Sequence, residues 1–504
     1  MPSFVLELEV SYSKKLLNQY KPGKSSLLPG QKSTLEKKMN IGVAIRNTAK
    51  GEALRRLHIL QHDRQFQQVQ EEYAKRKQEN PEADTSDLSA IYQSCMERAG
   101  YSEYALHSYI VRAKHQYHDI LGADECQKLA TQAFQAVEKV RKGESRKVTF
   151  LPRTSDTSVE GKSAKSTLKY AGDYCIQFGK GNLYPLIIKK NDVYAREALK
   201  HKVKYVRLVR RTIRGKQRYF AQLVMDGIPP KTKNLSYGRK NSRVGLDLGT
   251  STVAVCSKKE VSLNELAPGT AVDEKELRRL NRAIDRSKRA TNPDNYKEDG
   301  TVKKGRLTWK KSNRCLKLEQ RRKELYRRSA WKRRCEHHRL ANHLLSLGLD
   351  IRVEQMRISA LAKRSSKTTV NQKNGRIHSK KRYGKTVMSR APAMLIQVLE
   401  QKLSYLDLEV KKINTSQVKA SQYDHKADTY KRKQLSERWH VFEDGTSVQR
   451  DLYSAFLICY TTDTLDGIDR KACLRNYQQF KQLQDEEILR IRNQNGTTMR
   501  WYVA

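Results

Sequence analysis

The chain has 504 residues and a formal net charge of +47 at pH 7, from 101 Lys and Arg against 54 Asp and Glu. Hydrophobic residues make up 37%, and 25 Tyr, 9 Phe and 4 Trp supply apolar material for several cores, which excludes a wholly disordered chain. No apolar run approaches the roughly 18–20 residues of a membrane-spanning helix, so no membrane partner is expected, and a surplus charge spread along the whole sequence calls for a polyanion: nucleic acid bound over many phosphates.

Residues Ser3–Val10 alternate, with Phe4, Leu6, Leu8 and Val10 on one face, which predicts a strand. Glu7 and Glu9 interrupt the only apolar N-terminal stretch, so no secretory leader is expected. A loop follows over Lys21 to Gly30. From Leu35 to Gln78 the pattern is helical and basic, and Asn80-Pro81 breaks it. Ser86 or Asp87 is positioned to cap a next helix through Leu88, Ile91 and Met96, and helical pattern continues to about Lys142. After Gly143 the texture becomes β: Val148–Leu151, Tyr174–Phe178, Leu183–Ile188, Val203–Val209 and Tyr219–Val224 are short and rich in Val, Ile, Tyr and Phe. A small antiparallel barrel or sandwich is expected, joined by the N-terminal strand, with the helical block inserted into it.

Beyond Gly238 the pattern is mixed. Val244–Leu248 and Thr252–Cys256 read as strands around the turn Gly249-Thr250-Ser251. A charged helical region covers about 274–347, interrupted over 290–305, and Leu349–Val353 is a further strand. A basic stretch without periodicity runs from Lys363 to Val387. A helix through Met394, Leu395, Val398, Leu399 and Leu403 precedes a strand at Leu408–Ile413, and Asp451–Thr461 reads as a last core helix before a charged tail. No fixed period recurs, so a solenoid is excluded. None of the eight cysteines forms a C-x-x-C pair, so neither a zinc ribbon nor a disulfide framework is expected, and isolated buried thiols in a reducing cytosol are.

Three carboxylates stand out. Asp247 lies inside the apolar strand Val244-Gly245-Leu246-Asp247-Leu248, where an acid is costly to bury unless it is paired or liganded. It points away from Leu246 and Leu248, and Gly249 lets a ligand approach the backbone. Glu354 ends Leu349-Asp350-Ile351-Arg352-Val353-Glu354, and Asp451 opens the last amphipathic helix. The competing readings are a turn residue for Asp247, a surface pair with Arg352 or Arg357 for Glu354, and a carboxylate favoured by the helix dipole for Asp451. Strand, strand end and helix start is the arrangement of an RNase H-like core. There, three converging acids hold two divalent ions, one activating water and the other stabilising the leaving 3′ oxygen. Hard oxygen ligands suit Mg²⁺ or Mn²⁺. The gaps of 107 and 97 residues mean that only a fold could bring the three together.

The blocks V-G-L-D-L-G-T-S-T, I-R-V-E-Q-M and V-Q-R-D-L-Y-S-A-F resemble the three RuvC motifs of TnpB, the transposon-encoded RNA-guided nuclease, and of the single-effector type V CRISPR nucleases. The similarity covers about Arg243 to Ile458. The resemblance implies a multidomain α/β plus α+β chain. A wedge-type, β-barrel-like domain would take residues 1–30 and 143–240, with a helical recognition domain at 31–142. A RuvC nuclease domain would take 241–460, and residues 461–504 a charged tail. It assigns Asp247, Glu354 and Asp451 as catalytic ligands of two Mg²⁺ (or Mn²⁺) ions. It also implies a guide RNA and target double-stranded DNA as partners, no small-molecule cofactor, and a prokaryotic cytosolic or nucleoid location. The D-L-G-T stretch also resembles the first phosphate loop of actin and Hsp70 ATPases, but no D-x-G-G second loop is present.

One departure concerns the segment at about 415–447, where most relatives carry a zinc ribbon of two C-x-x-C pairs. Here Thr415-Ser416-Gln417 is followed by no cysteine, and His425 and His440 lack thiolate partners, so no zinc is expected. Packing around Tyr423, Tyr430 and Trp439 must replace it. Two basic tracts are candidates for tracking phosphates. Lys303 to Leu340 holds 16 Lys or Arg against 3 Glu, with Arg321, Arg322, Arg328, Lys332 and Arg333 partly on shared helical faces. Lys363 to Val387 holds nine basic residues and no acid, including Lys380, Lys381 and Arg382. Arg438 and Arg450 are further candidate phosphate contacts near the acids. The expected function is an RNA-guided DNA endonuclease. Guided DNA binding without cleavage, for repression or transposon targeting, and a DDE-type transposase are the alternatives.

Overall fold

A computed structural model describes residues 2–20, 31–231, 235–355, 360–361, 383–432, 434, 437–494, 499 and 503. The chain forms two compact units, Met1–Lys231 and Thr232–Ala504.

In the first unit, strand β1 (Ser3–Val10) and helix α1 (Lys14–Tyr20) precede a helical block: α2 (Gln31–Gln61), α3 (Arg64–Glu79), α4 (Ser86–Arg98), α5 (Glu103–Ala113) and α6 (Ala123–Arg141). The run expected as one helix over 35–78 is broken because the Asp63 side chain accepts from the Gln65 and Phe66 amides, at 2.9 and 3.2 Å, and caps a new helix. Neither Ser86 nor Asp87 is a cap; α4 begins at Ser86, whose amide donates to Asp84 at 2.9 Å. The strands are β2 (Thr157–Glu160), β3 (Leu168–Tyr170), β4 (Cys175–Phe178), β5 (Leu183–Ile187), β6 (Val203–Ile213) and β7 (Lys216–Asp226), with α7 (Val193–Ala198) before β6. They form an antiparallel seven-stranded sheet in the order β2-β6-β7-β1-β5-β4-β3, so β1 lies at its centre, pairing Phe4 with Met225 and Glu9 with Ile187. The sheet curls, bringing β3 against β6. Val148–Leu151 is not a strand. Its polar backbone is satisfied by side chains of α2: Asn47 bonds both Leu151 groups, at 2.8 and 3.3 Å, and Lys50 donates to Thr149 O at 2.7 Å. The short β2 and β3 were not foreseen.

The second unit is built on β8 (Arg243–Leu248), β9 (Thr252–Ser257), β10 (Val261–Glu265), β11 (Asp350–Glu354) and β12 (Lys411–Ile413). Their order is β10-β9-β8-β11-β12, an antiparallel meander continued by two strands parallel to β8. Helices α8 (Ala271–Thr291), α9 (Asn313–Leu347), α10 (Gly384–Arg390) and α11 (Pro392–Ser404) accompany it. The smaller α12 (Thr415–Val418), β13 (Tyr423–Asp424), β14 (Thr429–Tyr430), β15 (Trp439–Val441) and β16 (Ser447–Gln449) lead into α13 (Arg450–Cys459) and α14 (Arg470–Asn493).

Strand alternation divides this unit into two cores. Val244, Leu246, Leu248, Ile351 and Val353 pack with α9 and α11 on one face. Ala254, Cys256 and Leu263 pack with α13 and α14 on the other. Within the range expected as a charged tail, Arg470–Asn493 is instead a packed helix: Cys473, Tyr477, Phe480, Ile488 and Ile491 of α14 belong to that second core. Gly245 shows why α13 reaches the sheet. A Cβ there would lie 2.2 Å from Ala455 O and 2.4 Å from Cys459 N, so only glycine admits the helix backbone.

The cysteine-free segment is held by an aromatic and histidine core. His440 donates through Nε2 to Asp424 Oδ2 at 2.9 Å and stacks on Tyr453, ring centroids 5.0 Å apart. His425 Nδ1 meets the Tyr453 hydroxyl at 2.7 Å, and Phe442 and Tyr477 close the cluster edge-on. Of the three aromatics expected to hold this segment, Tyr423 is buried and Trp439 partly so, whereas Tyr430 is exposed and only rests its ring on Tyr423.

Two predictions follow from this packing. Gly245→Ala should destabilise the chain by roughly 1–3 kcal/mol through overpacking, read as a lower midpoint in chemical denaturation; an unchanged midpoint would refute the close approach. Burial pushes the His425 imidazole down from 6.5 to about 4. The folded state thus binds fewer protons than the unfolded chain, and stability is intact above pH 6.5 and falls as pH drops toward 4. The loss should be on the order of 3 kcal/mol, and denaturation at several pH values should show a flatter dependence for His425→Phe.

Candidate active site

Asp247 and Glu354 arrive on the same face of the sheet for a reason of register. In the parallel pair, Arg352 lies beside Gly245 and Val353 beside Leu246. One step further sets Glu354 level with Asp247, both opposite in sense to the leucines and valines that enter the α9 core. Helix α13 lies across this face, and its first turn carries Asp451. The helix starts there because the Gln449 side chain caps it, accepting from the Leu452 amide at 2.8 Å, while its own amide donates to Gln484 Oε1 at 2.9 Å.

The electrostatics join the three acids. Asp247 is held well above the usual carboxylate range, first by burial, then by the charges of Glu354 and Asp451; Arg450 and a hydrogen bond with Ser454 oppose this. Glu354 is also pushed up, by burial. Each keeps part of its surface open to solvent. Asp451 is engaged by arginine: Arg450 donates through Nε and Nη2 to its Oδ1 at 3.3 and 3.2 Å, and Arg438 Nη1 stands 3.9 Å from Oδ2. Arg450 is itself fixed by the Glu437 carbonyl at 3.0 Å. Arg352 is not the partner of Glu354. It is fully buried and donates to Asp350 at 3.0 Å, Asp463 at 2.9 Å and the Thr461 carbonyl at 2.5 Å.

The donor set is three hard oxygen acids of one sign, which suits a divalent cation. As they stand, no three His, Cys, Asp or Glu side chains among the described residues are grouped closely enough to hold one. A cavity of about 920 Å³ lined by Arg243, Asp350 and Asp463 lies at the opposite end of the sheet, where β8 and β11 begin, and is separate from the acids.

The other sequence-derived candidates divide into three groups. On α9, Arg322 Nη1 donates to Asn281 Oδ1 at 3.0 Å, Lys332 stands 3.6 Å from Asp273, and Arg333 donates to the Met388 and Ser389 carbonyls at 3.2 Å, so these three also tie α9 to its neighbours. Arg321 approaches Glu276 only to 3.8 Å and is 70% exposed, and Arg328 is exposed. Arg438 and Arg450 lie at Asp451. Lys380, Lys381 and Arg382 fall outside the described residues. Ser454, Gln449 and Gly245 were not singled out from sequence, although a glycine inside an apolar strand is a signal of close backbone approach.

No described protein family matches the chain, and no curated protein does. Among solved structures, the cryo-EM structure of a Cas12f1–sgRNA–target DNA complex is 11% identical, with a TM-score of 0.44 over 90% of this chain and 97% of that one. The cryo-EM structure of a CRISPR-Cas12f ternary complex is 12% identical, with a TM-score of 0.26 over 92% and 99%. No described helix is long and apolar enough to cross a membrane.

Because burial and its neighbours disfavour the ionised form of Asp247, Asp247→Asn in metal-free buffer should raise the thermal midpoint, by about 2–4 °C. A lowered midpoint would mean that the carboxylate is stabilising and that the repulsion is not felt.

Proposed function

We propose that the chain is an RNA-guided endonuclease that hydrolyses DNA phosphodiesters at Asp247, Glu354 and Asp451, in an RNase H-like, RuvC-type domain. The observation that carries this reading is that Glu354, 107 residues after Asp247, stands level with it on one sheet face, with Asp451 in the first turn of the helix laid across that face. The strand order, a three-stranded meander followed by two parallel strands, supports it. The wedge and recognition roles of the first unit, the guide RNA and the location in a prokaryotic cytosol rest on the motif resemblance and the charge of +47.

Asp247, Glu354 and Asp451 would hold Mg²⁺ or Mn²⁺, and bound ions would supply an activated water and charge neutralisation at the leaving oxygen. The residues themselves do the rest. Gln449 and Gly245 set where the helix start meets the sheet. Ser454 fixes the Asp247 carboxylate. Arg450 and Arg438 screen Asp451 and present guanidinium groups to an approaching phosphate. An ion held at Asp451 would compete with Arg450 for its Oδ1. That same engagement is the observation favouring a second reading, guided DNA binding without cleavage.

Incubation of the protein–RNA complex with target DNA and Mg²⁺ separates the two. Asp247→Ala should reduce cleavage to background, at least about a thousandfold, while retaining guide and target binding. Undiminished cutting by that variant would sink the assignment, and binding by the unaltered protein without cuts would establish the second reading.

A further inference from the structure

The exposed side of α9 carries the indole of Trp331, 65% exposed. Single exposed apolar residues are ordinary on protein surfaces, but the surroundings of this one are not. Helical spacing sets Arg327, Arg328 and Arg334 around it, four and three residues before and three after. Arg327 is tied to Glu324 at 2.6 Å. Arg328 and Arg334 are exposed and make no ion pair among the described residues. The buried side of the helix, through Cys315, Leu325 and His337, faces the other way. The patch is thus an open aromatic face with free guanidinium groups beside it. An apolar protein partner would need a wider apolar surface than one ring offers, and the flanking cations would oppose its burial. A duplex offers base edges and phosphates, since its base faces are already stacked on one another. A single strand offers both an open base face and flanking phosphates.

We propose that Trp331 is a stacking platform for an unpaired base of single-stranded nucleic acid, with Arg328 and Arg334 neutralising the adjoining phosphates. The inference rests on the nucleic-acid part of the reading above and is independent of cleavage. The test uses the full-length chain in EDTA, so that nothing is cut. Affinity is measured by fluorescence anisotropy for a labelled oligodeoxythymidine and for a blunt duplex of equal length. Trp331→Ala should weaken the oligonucleotide at least fivefold and the duplex less than twofold. Trp331→Phe should recover most of the loss, and the salt dependence should be unchanged. The double variant Arg328→Gln, Arg334→Gln should instead lower the logarithmic salt slope by about 1.4. An alanine variant within twofold of the unaltered protein on the oligonucleotide, or weakened equally on the duplex, overturns the platform while leaving the nuclease reading standing. Failure of the unaltered protein to bind either probe overturns both.

Discussion

Holding Asp247 close to Glu354 and Asp451 is the constraint around which the second unit is arranged, because burial first, and then the charges of the other two acids, disfavour its ionised form. Carboxylates of one sign within a dense protein environment favour protonation or separation, and the backbone prevents the separation. Strand alternation commits Leu246 and Leu248 to the α9 core and so forces Asp247 onto the α13 face. The parallel register brings Glu354 level with it. Gly245 lets α13, which carries Asp451 in its first turn, approach the same face. The buried arginine nearest the acids, Arg352, is engaged by Asp350 and Asp463 and does not neutralise Glu354. Among the described residues, Arg450 and Arg438 bring positive charge to Asp451, and Arg450 acts on Asp247 as well.

The segment that lacks cysteines contributes to this arrangement through Tyr453. That residue sits two positions after Asp451, and its hydroxyl and ring bind both histidines of the segment. A zinc site would fix such a segment by a few strong directional bonds. Here many weaker contacts do so: ring stacking, the His440–Asp424 pair, and Lys426 over the Phe442 and Tyr477 rings at 4.4 and 4.3 Å. The same residues that hold the segment therefore hold the start of α13, so the segment is joined to the helix that carries Asp451 without any cysteine.

How much of this was legible from sequence depends on the range of the physics involved. Asp247 could be recognised alone, because an acid in an apolar strand violates a local rule. Glu354 and Asp451 each had an adequate local explanation, and only their order with Asp247, strand, strand end and helix start in a basic chain, joined them. Strands with clear alternation, such as Ser3–Val10 and Val244–Leu248, lie where periodicity put them to within a residue. Val148–Leu151 had strand composition but finds its hydrogen bonds on Asn47 and Lys50, about a hundred residues away, which no local pattern reports. His425 and His440 lacked the thiolates that mark a metal site, and their aromatic surroundings come from two helices later in the chain. The tail misled because the buried face of α14 is masked in composition by Lys, Arg, Gln and Glu on its outer face.

The same distinction governs the basic surplus. A run of cations read from sequence counts every guanidinium and ammonium group alike, yet α9 divides its own. Arg322, Lys332 and Arg333 turn toward α8 and α10, where Asn281, Asp273 and the Met388 and Ser389 carbonyls hold them. Arg322 and Arg333 are turned to neutral acceptors and must leave them to meet a phosphate, and the charge of Lys332 is already shared with Asp273, so it has fewer counterions to release. The number of phosphates this helix can neutralise is therefore smaller than its lysines and arginines suggest. Those still available, Arg328 and Arg334 foremost, flank Trp331, so the helix offers charge where it also offers a ring.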